Sequence, residues 1–340
     1  MNVVHIINNL DVGGGAQSLV KDICNNGKYN HTVVTLEKSL LKYDDILCVN
    51  LFRQPLKSLR MILFSDVVHF HLFPSLYLAP FFFYKKKVFT EHNTFNRRRK
   101  YMIFRLIDSF FYIFYSKIIC ISKGTKTALE EWLIGERPKA KLEIIYNGVD
   151  FSAFDRKKNN FENLKQKFLN GNEIIIGMVG SFTKQKNQKF LIEVIEKLPK
   201  NFILKFAGEG ESLNCVKRYT EDIGVKDRVE FCGLIKDIPS FYNQLDIYVH
   251  SAHWEGFGLT VVEAIASGLP VLASNVSGLK ELIEPTYLFQ NKDKDNLINL
   301  INNIFKKDDF INIEKSYEIS KKRFDIYVMT EKYESIYKLI

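Results

Sequence analysis

Cysteine is sparse in this 340-residue chain and shows no pairing pattern: Cys24, Cys48, Cys120, Cys215 and Cys232 form neither a C-x-x-C nor a framework spacing. That excludes a disulfide scaffold and a cysteine metal site, and predicts reduced core thiols in a cytosolic protein. No uncharged apolar run reaches the length of a bilayer span. The start Met1-Asn2-Val3-Val4-His5-Ile6-Ile7 lacks the basic region of a signal peptide and reads as a buried strand, so a soluble or peripheral protein is expected. No Asp-x-Asp pair falls in a loop suited to a divalent ion, so no metal is implied. No internal repeat stands out beyond a shared strand–helix alternation.

What is present is a globular composition with a lopsided charge. Hydrophobic residues make up 46% and charged residues 26% of the chain, and the length suggests two domains with buried cores. The net charge of +9 sits in the first half: residues 1–150 hold 21 Lys plus Arg against 13 Asp plus Glu, leaving 27 against 26 for the rest. Lys85, Lys86, Lys87, Arg97, Arg98, Arg99, Lys100 and Arg105 meet a single acid, Glu91, and lead into the aromatic residues 101–117, which read as a helix. A basic cluster before a large apolar face suits an anionic bilayer surface, each cation near it contributing about 1 kcal/mol. The plain alternative is an aromatic core flanked by solvated arginines. Nucleic acid would also attract this charge, but no nucleic-acid module accompanies it.

The densest constellation lies in residues 246–285. Residues 246–250 are strand-like, residues 259–267 place small and apolar side chains at helical spacing and stop at Gly268, and a second strand begins at Pro270. Glu255 and Glu263, eight positions apart, bracket the turn Gly256-Phe257-Gly258. A helix start offers free N–H groups and a positive dipole end, and a glycine-lined turn admits a phosphate to the backbone. Carboxylates repel phosphate, so two of them beside an anion site make sense as acceptors for neutral hydroxyls such as those of sugars. The stretch reads as a nucleotide-sugar site. Its alternative is a pair of solvated acids.

At these residues the chain resembles the E-x(7)-E segment of family-four retaining glycosyltransferases, which include many bacterial surface-polysaccharide enzymes. The resemblance implies the GT-B fold, an α/β architecture of two doubly wound Rossmann-like domains facing one another across a cleft. The expected division is an acceptor domain over residues 1–150, a linker over 151–172, a nucleotide-sugar domain over 173–315, and a C-terminal helix over 316–340 that returns to the first domain. Glycines 13 to 15 open a helix after the first strand, a place for close approach to backbone N–H groups. A dinucleotide fingerprint would need glycine at position 18, where Ser18 stands. In the resembled family, Gly14 and Gly15 with Gln17 face the donor phosphates and the acceptor; a tight strand-to-helix turn is the alternative.

The same resemblance implies roles elsewhere. His92, which follows a strand, matches a histidine beside the donor sugar near the reacting centre, whereas His69 and His71 are read as structural or supporting. Gly180, Ser181 and Lys186 form a second anion signature in which Lys186 neutralises the leaving diphosphate. Ser181 stands where many relatives carry arginine, which weakens the expected grip on phosphate. Gly208 lies near the nucleobase, and the backbone of Leu234 and Ile235 holds it. Glu255 accepts hydroxyls of the donor sugar, Glu263 those of the ribose, and the amides of Gly256, Phe257, Gly258 and Leu259 hold the diphosphate.

The implied activity is retaining transfer of a sugar from a nucleoside diphosphate donor, UDP-linked, to a glycan acceptor, with no cofactor. A polyprenyl-diphosphate-linked oligosaccharide at the inner face of the membrane fits the basic, aromatic first half, and a small soluble acceptor is its alternative. Two other classes stay open: a non-catalytic, membrane-associated nucleotide-binding protein of the same fold, and an NAD-dependent oxidoreductase using the Gly13 to Gly15 loop.

Overall fold

In a computed structural model of the chain, residues 1–11, 14–37, 46–154, 160–306 and 312–340 are described. Short runs rich in Val, Ile and Phe, apolar at successive positions, form wholly parallel strands buried on both faces. They make two sheets. The first contains β1 (Asn2–Ile7), β2 (Asn30–Thr35), β3 (Cys48–Asn50), β4 (Val67–His71), β5 (Lys86–Glu91), β6 (Lys117–Cys120) and β7 (Leu142–Ile144), in the order β3-β2-β1-β4-β5-β6-β7. The second contains β8 (Ile174–Val179), β9 (Phe202–Ala207), β10 (Val229–Phe231), β11 (Ile247–His250), β12 (Val271–Ser274) and β13 (Leu288–Phe289), in the order β10-β9-β8-β11-β12-β13.

Each sheet belongs to its own compact unit: Met1–Gly148 with Phe324–Ile340, and Val149–Arg323. In the first unit the terminal helix Ile326–Leu339 buries Met329, Tyr333, Ile336 and Tyr337 with Val3, Leu19, Ile23, Val67 and Val88. Asp325 caps that helix by accepting from the Tyr327 amide at 3.0 Å. In the second unit the helix Asn160–Leu169 contributes Leu164 to the core around Ile174, Phe202 and Phe305, and Lys167 ties it to Asp246 on the approach to β11 at 2.5 Å.

Two readings of the sequence need correction. The aromatic stretch 101–117 is helical only over Ile103–Tyr112, because Lys117 enters the first sheet as the edge of β6. Past Pro285 the chain holds the helix Lys294–Lys306, and the single C-terminal helix expected over 316–340 is instead two, Ile313–Phe324 and Ile326–Leu339. Leu297, Ile301 and Ile304 form the buried stripe of the first of these, four and three residues apart, hidden among polar neighbours.

The basic cluster is largely internal. Lys85 donates to the carbonyls of Leu63 and Ser65, at 2.7 and 2.5 Å, and buried Lys87 to that of Phe82 at 2.9 Å. Arg99 reaches Glu91 at 3.4 Å and Arg105 the carbonyl of Trp132 at 2.9 Å. Asp108, fully buried, accepts from Arg98 at 2.9 Å, the Trp132 indole at 2.8 Å and the Tyr77 hydroxyl at 2.7 Å. These cations pin helices and loops, and the expectation of solvated arginines fails with them. Asp108→Ala should leave the Arg98 guanidinium buried without its counter-ion and destabilise the protein by about 3–5 kcal/mol; a urea midpoint equal to wild type in that variant would contradict this role.

Candidate functional site

In the second sheet the chain runs outward from β8 through β9 to β10, then crosses back to β11 on the other side of β8. This reversal leaves a crevice at the carboxyl ends of β8 and β11, where open α/β sheets place ligands. The two loops that leave these ends are stitched together. The His253 amide donates to the Gln185 carbonyl at 2.7 Å, Gln185 Nε2 to that of Trp254 at 2.9 Å, and Ser251 Oγ to those of Lys186 and Asn187 at 3.1 Å.

The stitching brings Lys186 Nζ to 2.5 Å from Glu255 Oε2. The same oxygen lies 3.2 Å from His250 Nε2, and His250 Nδ1 lies 3.0 Å from the Tyr248 hydroxyl. Burial and the Lys186 charge both lower the pKa of His250, so it is the neutral ring whose Nε2–H donates to Glu255. Burial alone would raise the Glu255 carboxyl, but the Lys186 charge and the His250 hydrogen bond outweigh it and bring it down to about 2. Glu263 differs: burial raises its pKa, against the pull of the Tyr242 hydroxyl, which donates to its Oε2 at 2.8 Å, and of Lys186. The two acids are thus linked to one lysine and to neighbouring tyrosines, with Tyr242 and Tyr248 5.6 Å apart between ring centres.

Between the acids, Gly258 adopts a left-handed conformation (φ 99°), and a Cβ there would stand 2.5 Å from Leu279 Cδ2. Only glycine fits, and it starts the helix Leu259–Ala266 with no side-chain cap, a helix start of the kind that can receive an anion. Phe257 is buried, so only its backbone can contribute there. Gly180 and Gly208 close the neighbouring strand ends backbone to backbone, a Cβ on Gly208 falling 2.2 Å from the Gly180 carbonyl. The Gly208 amide donates to the Gly233 carbonyl at 2.7 Å, which aligns the loop carrying exposed Leu234 and part-exposed Ile235 beside them. Ser181 is exposed, and its carbonyl accepts from Gln188.

In the first unit the order reverses between β1 and β4. Gly14 and Gly15 start the helix Gly15–Asn26 next to that point, again without a side-chain cap; Val12 and Gly13 lie outside the described residues. His92 directly follows β5. Four buried polar atoms near this carboxyl edge have no partner among the described residues: Asn8 Oδ1, Asn9 Oδ1, Asn147 Oδ1 and His92 Nδ1. Such atoms take a partner from outside the protein, water or a ligand. The sequence reading missed the three asparagines, as it missed His250, Tyr248 and Tyr242. His250 was legible as a polar strand end, whereas Tyr242 sits on the helix Ile238–Asn243, which carries too little periodicity to announce itself. His5, His69 and His71 lie close enough for three ring nitrogens to face one ion. Both nitrogens of His5 and of His69 are already engaged by neighbouring side chains.

Two family models match the chain: Glycosyltransferase Family 4 over residues 30–153 and Glycosyl transferases group 1 over residues 159–324. Among curated proteins, the O-antigen biosynthesis glycosyltransferase WclY of Escherichia coli is 30% identical over 240 residues, 70% of this chain and 65% of that one. A UDP-Gal:alpha-D-GlcNAc-diphosphoundecaprenol alpha-1,3-galactosyltransferase of Escherichia coli is 28% identical over 216 residues, 60% and 55% of the two chains. The chain therefore spans less than two thirds of either relative. Among solved structures, Anabaena HepE in complex with UDP superimposes with a TM-score of 0.87 at 21% identity over 100% of both chains. WaaG, a glycosyltransferase involved in lipopolysaccharide biosynthesis, superimposes at 0.70 and 16%, over 98% of this chain and 99% of its own. The fold is GT-B.

The Lys186–Glu255 pair has a pH signature. Because the folded pKa of Glu255 is depressed from 4.5 to about 2, its contribution to stability is complete above about pH 4.5 and is lost as pH falls toward 2. In Lys186→Met the burial penalty is opposed only by the His250 hydrogen bond, so the carboxyl should titrate well above its wild-type value. Carbon-13 NMR of labelled glutamate reads this directly, and a Glu255 carboxyl still titrating near 2 in the variant would refute the coupling.

Proposed function

The chain belongs to the glycosyl transferases of group 1 and family 4, and from that premise we propose that it moves a sugar, with retention of configuration, from a UDP-linked donor to a glycan carried on a polyprenyl diphosphate in O-antigen or capsule assembly. The observation that carries this reading is the Lys186 ammonium lying against Glu255 beside an uncapped helix start, at the crevice where the strand order of the second sheet reverses. Cation and amides suit a diphosphate, and the two acids suit hydroxyls. The relatives named for O-antigen synthesis and for a diphosphoundecaprenol acceptor, and the neighbour that binds UDP, support the substrate classes.

In the reaction the bond from the sugar C1 to the phosphate oxygen breaks, the bond from C1 to the acceptor oxygen forms on the same face, and the acceptor hydroxyl loses its proton. Lys186 and the amides of Gly258 and Leu259 stabilise the charge that grows on the departing diphosphate, while the Gly256 amide donates to Glu255 Oε1. Glu255, held by Lys186 and His250, accepts from hydroxyls of the donor sugar, and Glu263 from the ribose while Tyr242 occupies its other oxygen. Of the first unit, His92, the residue after β5, is assigned to the donor sugar near the reacting centre, and Gly14 and Gly15, at the start of the first helix, to the donor phosphates and the acceptor.

A bilayer surface completes the reading, on grounds that differ from the sequence argument. The cations are mostly engaged, but apolar side chains are not: Ile103, Leu106 and Phe110 form an exposed stripe at helical spacing, next to Met102. Leu63, Phe64, Phe83 and Tyr84 are exposed around Lys85. Contact is therefore chiefly apolar, with Lys86 and Lys100 as exposed cations. No helix among the described residues is long and apolar enough to cross a membrane.

Lys186→Ala should lower turnover about 100-fold or more, the scale for loss of a preorganised anion donor, whereas Glu263→Gln should chiefly raise the donor KM. A donor-hydrolysis screen across UDP, GDP, ADP and CMP sugars checks the donor class, and sugar release from none of them would remove the enzymatic reading. Sedimentation with anionic vesicles should persist at high salt and be lost in the Ile103→Asp/Leu106→Asp double variant; binding abolished by salt alone and kept in the variant would reject the apolar face.

A further inference from the structure

Where the order of the first sheet reverses, between β1 and β4, two consecutive asparagines leave the end of β1 with work undone. Asn8 Nδ2 donates to the Phe73 carbonyl on the loop after β4 at 2.9 Å, and Asn9 Nδ2 to Glu37 Oε2 just past β2 at 2.6 Å. A backbone carbonyl and a carboxylate accept, so each asparagine turns its NH2 group toward its partner. The two Oδ1 atoms are thereby set on the other side of each amide, and neither has a partner among the described residues. Asn8 and Asn9 are half-buried and both of their hydrogen bonds lie at the solvent face, so a hydroxyl arriving from solvent reaches them without crossing the core.

The residue that Asn8 holds carries an aromatic ring. Leu72, just before it, has a left-handed backbone (φ 64°), which is strained for a leucine, and its side chain packs on the cluster of Ile7, Leu10, Val20 and Val33. That packing offsets the strain. Ser75 Oγ secures the same bend, 2.8 Å from the carbonyls of both His71 and Leu72. Phe73 is 48% exposed although the Tyr77 ring meets it at 5.5 Å and the Arg98 guanidinium lies 5.4 Å from its centre. Tyr77 and Arg98 are themselves fixed by buried Asp108. The ring is braced from inside the unit and still offers about half of its surface.

Resting on the reading that the acceptor is a glycan, we infer that this end of the first unit is a saccharide subsite, in which Asn8 Oδ1 and Asn9 Oδ1 accept hydroxyls of a neutral hexopyranose whose C–H face lies on the Phe73 ring. A pyranose brings what the arrangement calls for, hydroxyl donors for two acceptors and an apolar face for an exposed aromatic. A phosphate does not, because the atoms left free are acceptors. The Glu37 carboxylate beside Asn9 turns away a uronic acid for the same reason. Every group of the subsite belongs to the first unit.

The polar part of the subsite is pre-organised like the ring. The Glu37 amide donates to the Asn8 carbonyl at 2.7 Å, and the Glu37 carbonyl accepts from Asn50 Nδ2, on β3, at 2.6 Å. Glu37 is therefore tied to β1 and β3 at once, and through it Asn9 is held in place. Little ordering is left to be done on binding. Recognition by two shielded acceptors is also selective, since a deoxy sugar that lacks either hydroxyl leaves a carbonyl oxygen unpaired and binds more weakly.

The test uses the full-length protein labelled with nitrogen-15 at asparagine and reads the side-chain amide signals of Asn8 and Asn9, identified with Asn8→Asp and Asn9→Asp. Titration with D-glucose, D-galactose, D-mannose and N-acetyl-D-glucosamine should shift both signals with at least one of the four sugars, and D-glucuronate should leave them in place. Phe73→Ala, a change at an exposed ring, should weaken binding of that sugar about tenfold, and Phe73→Tyr should retain it. Unmoved signals with all four sugars, an equal shift with glucuronate, or wild-type affinity in Phe73→Ala would overturn the subsite. None of these readouts depends on turnover: a wild type that releases no sugar from any donor counts against the proposed reaction, and the amide signals still decide the subsite.

Discussion

The contact between Lys186 and Glu255 is the constraint around which the second unit is arranged. It joins the loops that leave β8 and β11, and these two strands are neighbours only because the chain reverses its direction of travel across the sheet. An ammonium and a carboxylate, both mostly shielded, need further hydrogen bonds to offset lost hydration. His250, the Gly256 amide and the carbonyl-to-serine ties beneath Lys186 supply them. The arrangement gathers a cation, oxygen acceptors and an uncapped helix start at one crevice, the combination on which the proposed sugar diphosphate substrate rests.

Much of this unit was legible in the sequence because its signals are local. The turn Gly256-Phe257-Gly258, the small-residue helix after it and the stop at Gly268 each follow from the conformational needs of a few consecutive residues. The partnership of Lys186 with Glu255, 69 positions apart, is set by strand order, which no local pattern encodes. The contacts of His5 with His31 and His71 were invisible for the same reason: each ring is a lone residue on a different strand, and only the register of β1 with β2 and β4 brings them within reach.

The basic stretch shows the opposite failure, in which a local pattern was overread. Counting charges along residues 85–105 suggested a positive surface, but Arg98 finds Asp108 ten positions on, and lysines 85 and 87 spend their protons on backbone carbonyls. Composition records how many cations a segment has and not whether they face water. The apolar stripe of Ile103, Leu106 and Phe110 was present in the same stretch, but whether its face met a bilayer or the core stayed open, since periodicity fixes which residues share a face and not which way that face points.

The first unit is assembled from two separated pieces of chain, because the helix Ile326–Leu339 lies against a sheet whose last strand ends at Ile144. That helix also contributes the tyrosines that hold His69 and Thr90. A fragment cut after Gly148 would therefore be an incomplete fold with a raw apolar face over Val3, Val67 and Val88. The missing helix, offered as a separate peptide, would be its natural complement, which makes this protein a candidate for splitting into two halves that regain structure only on meeting.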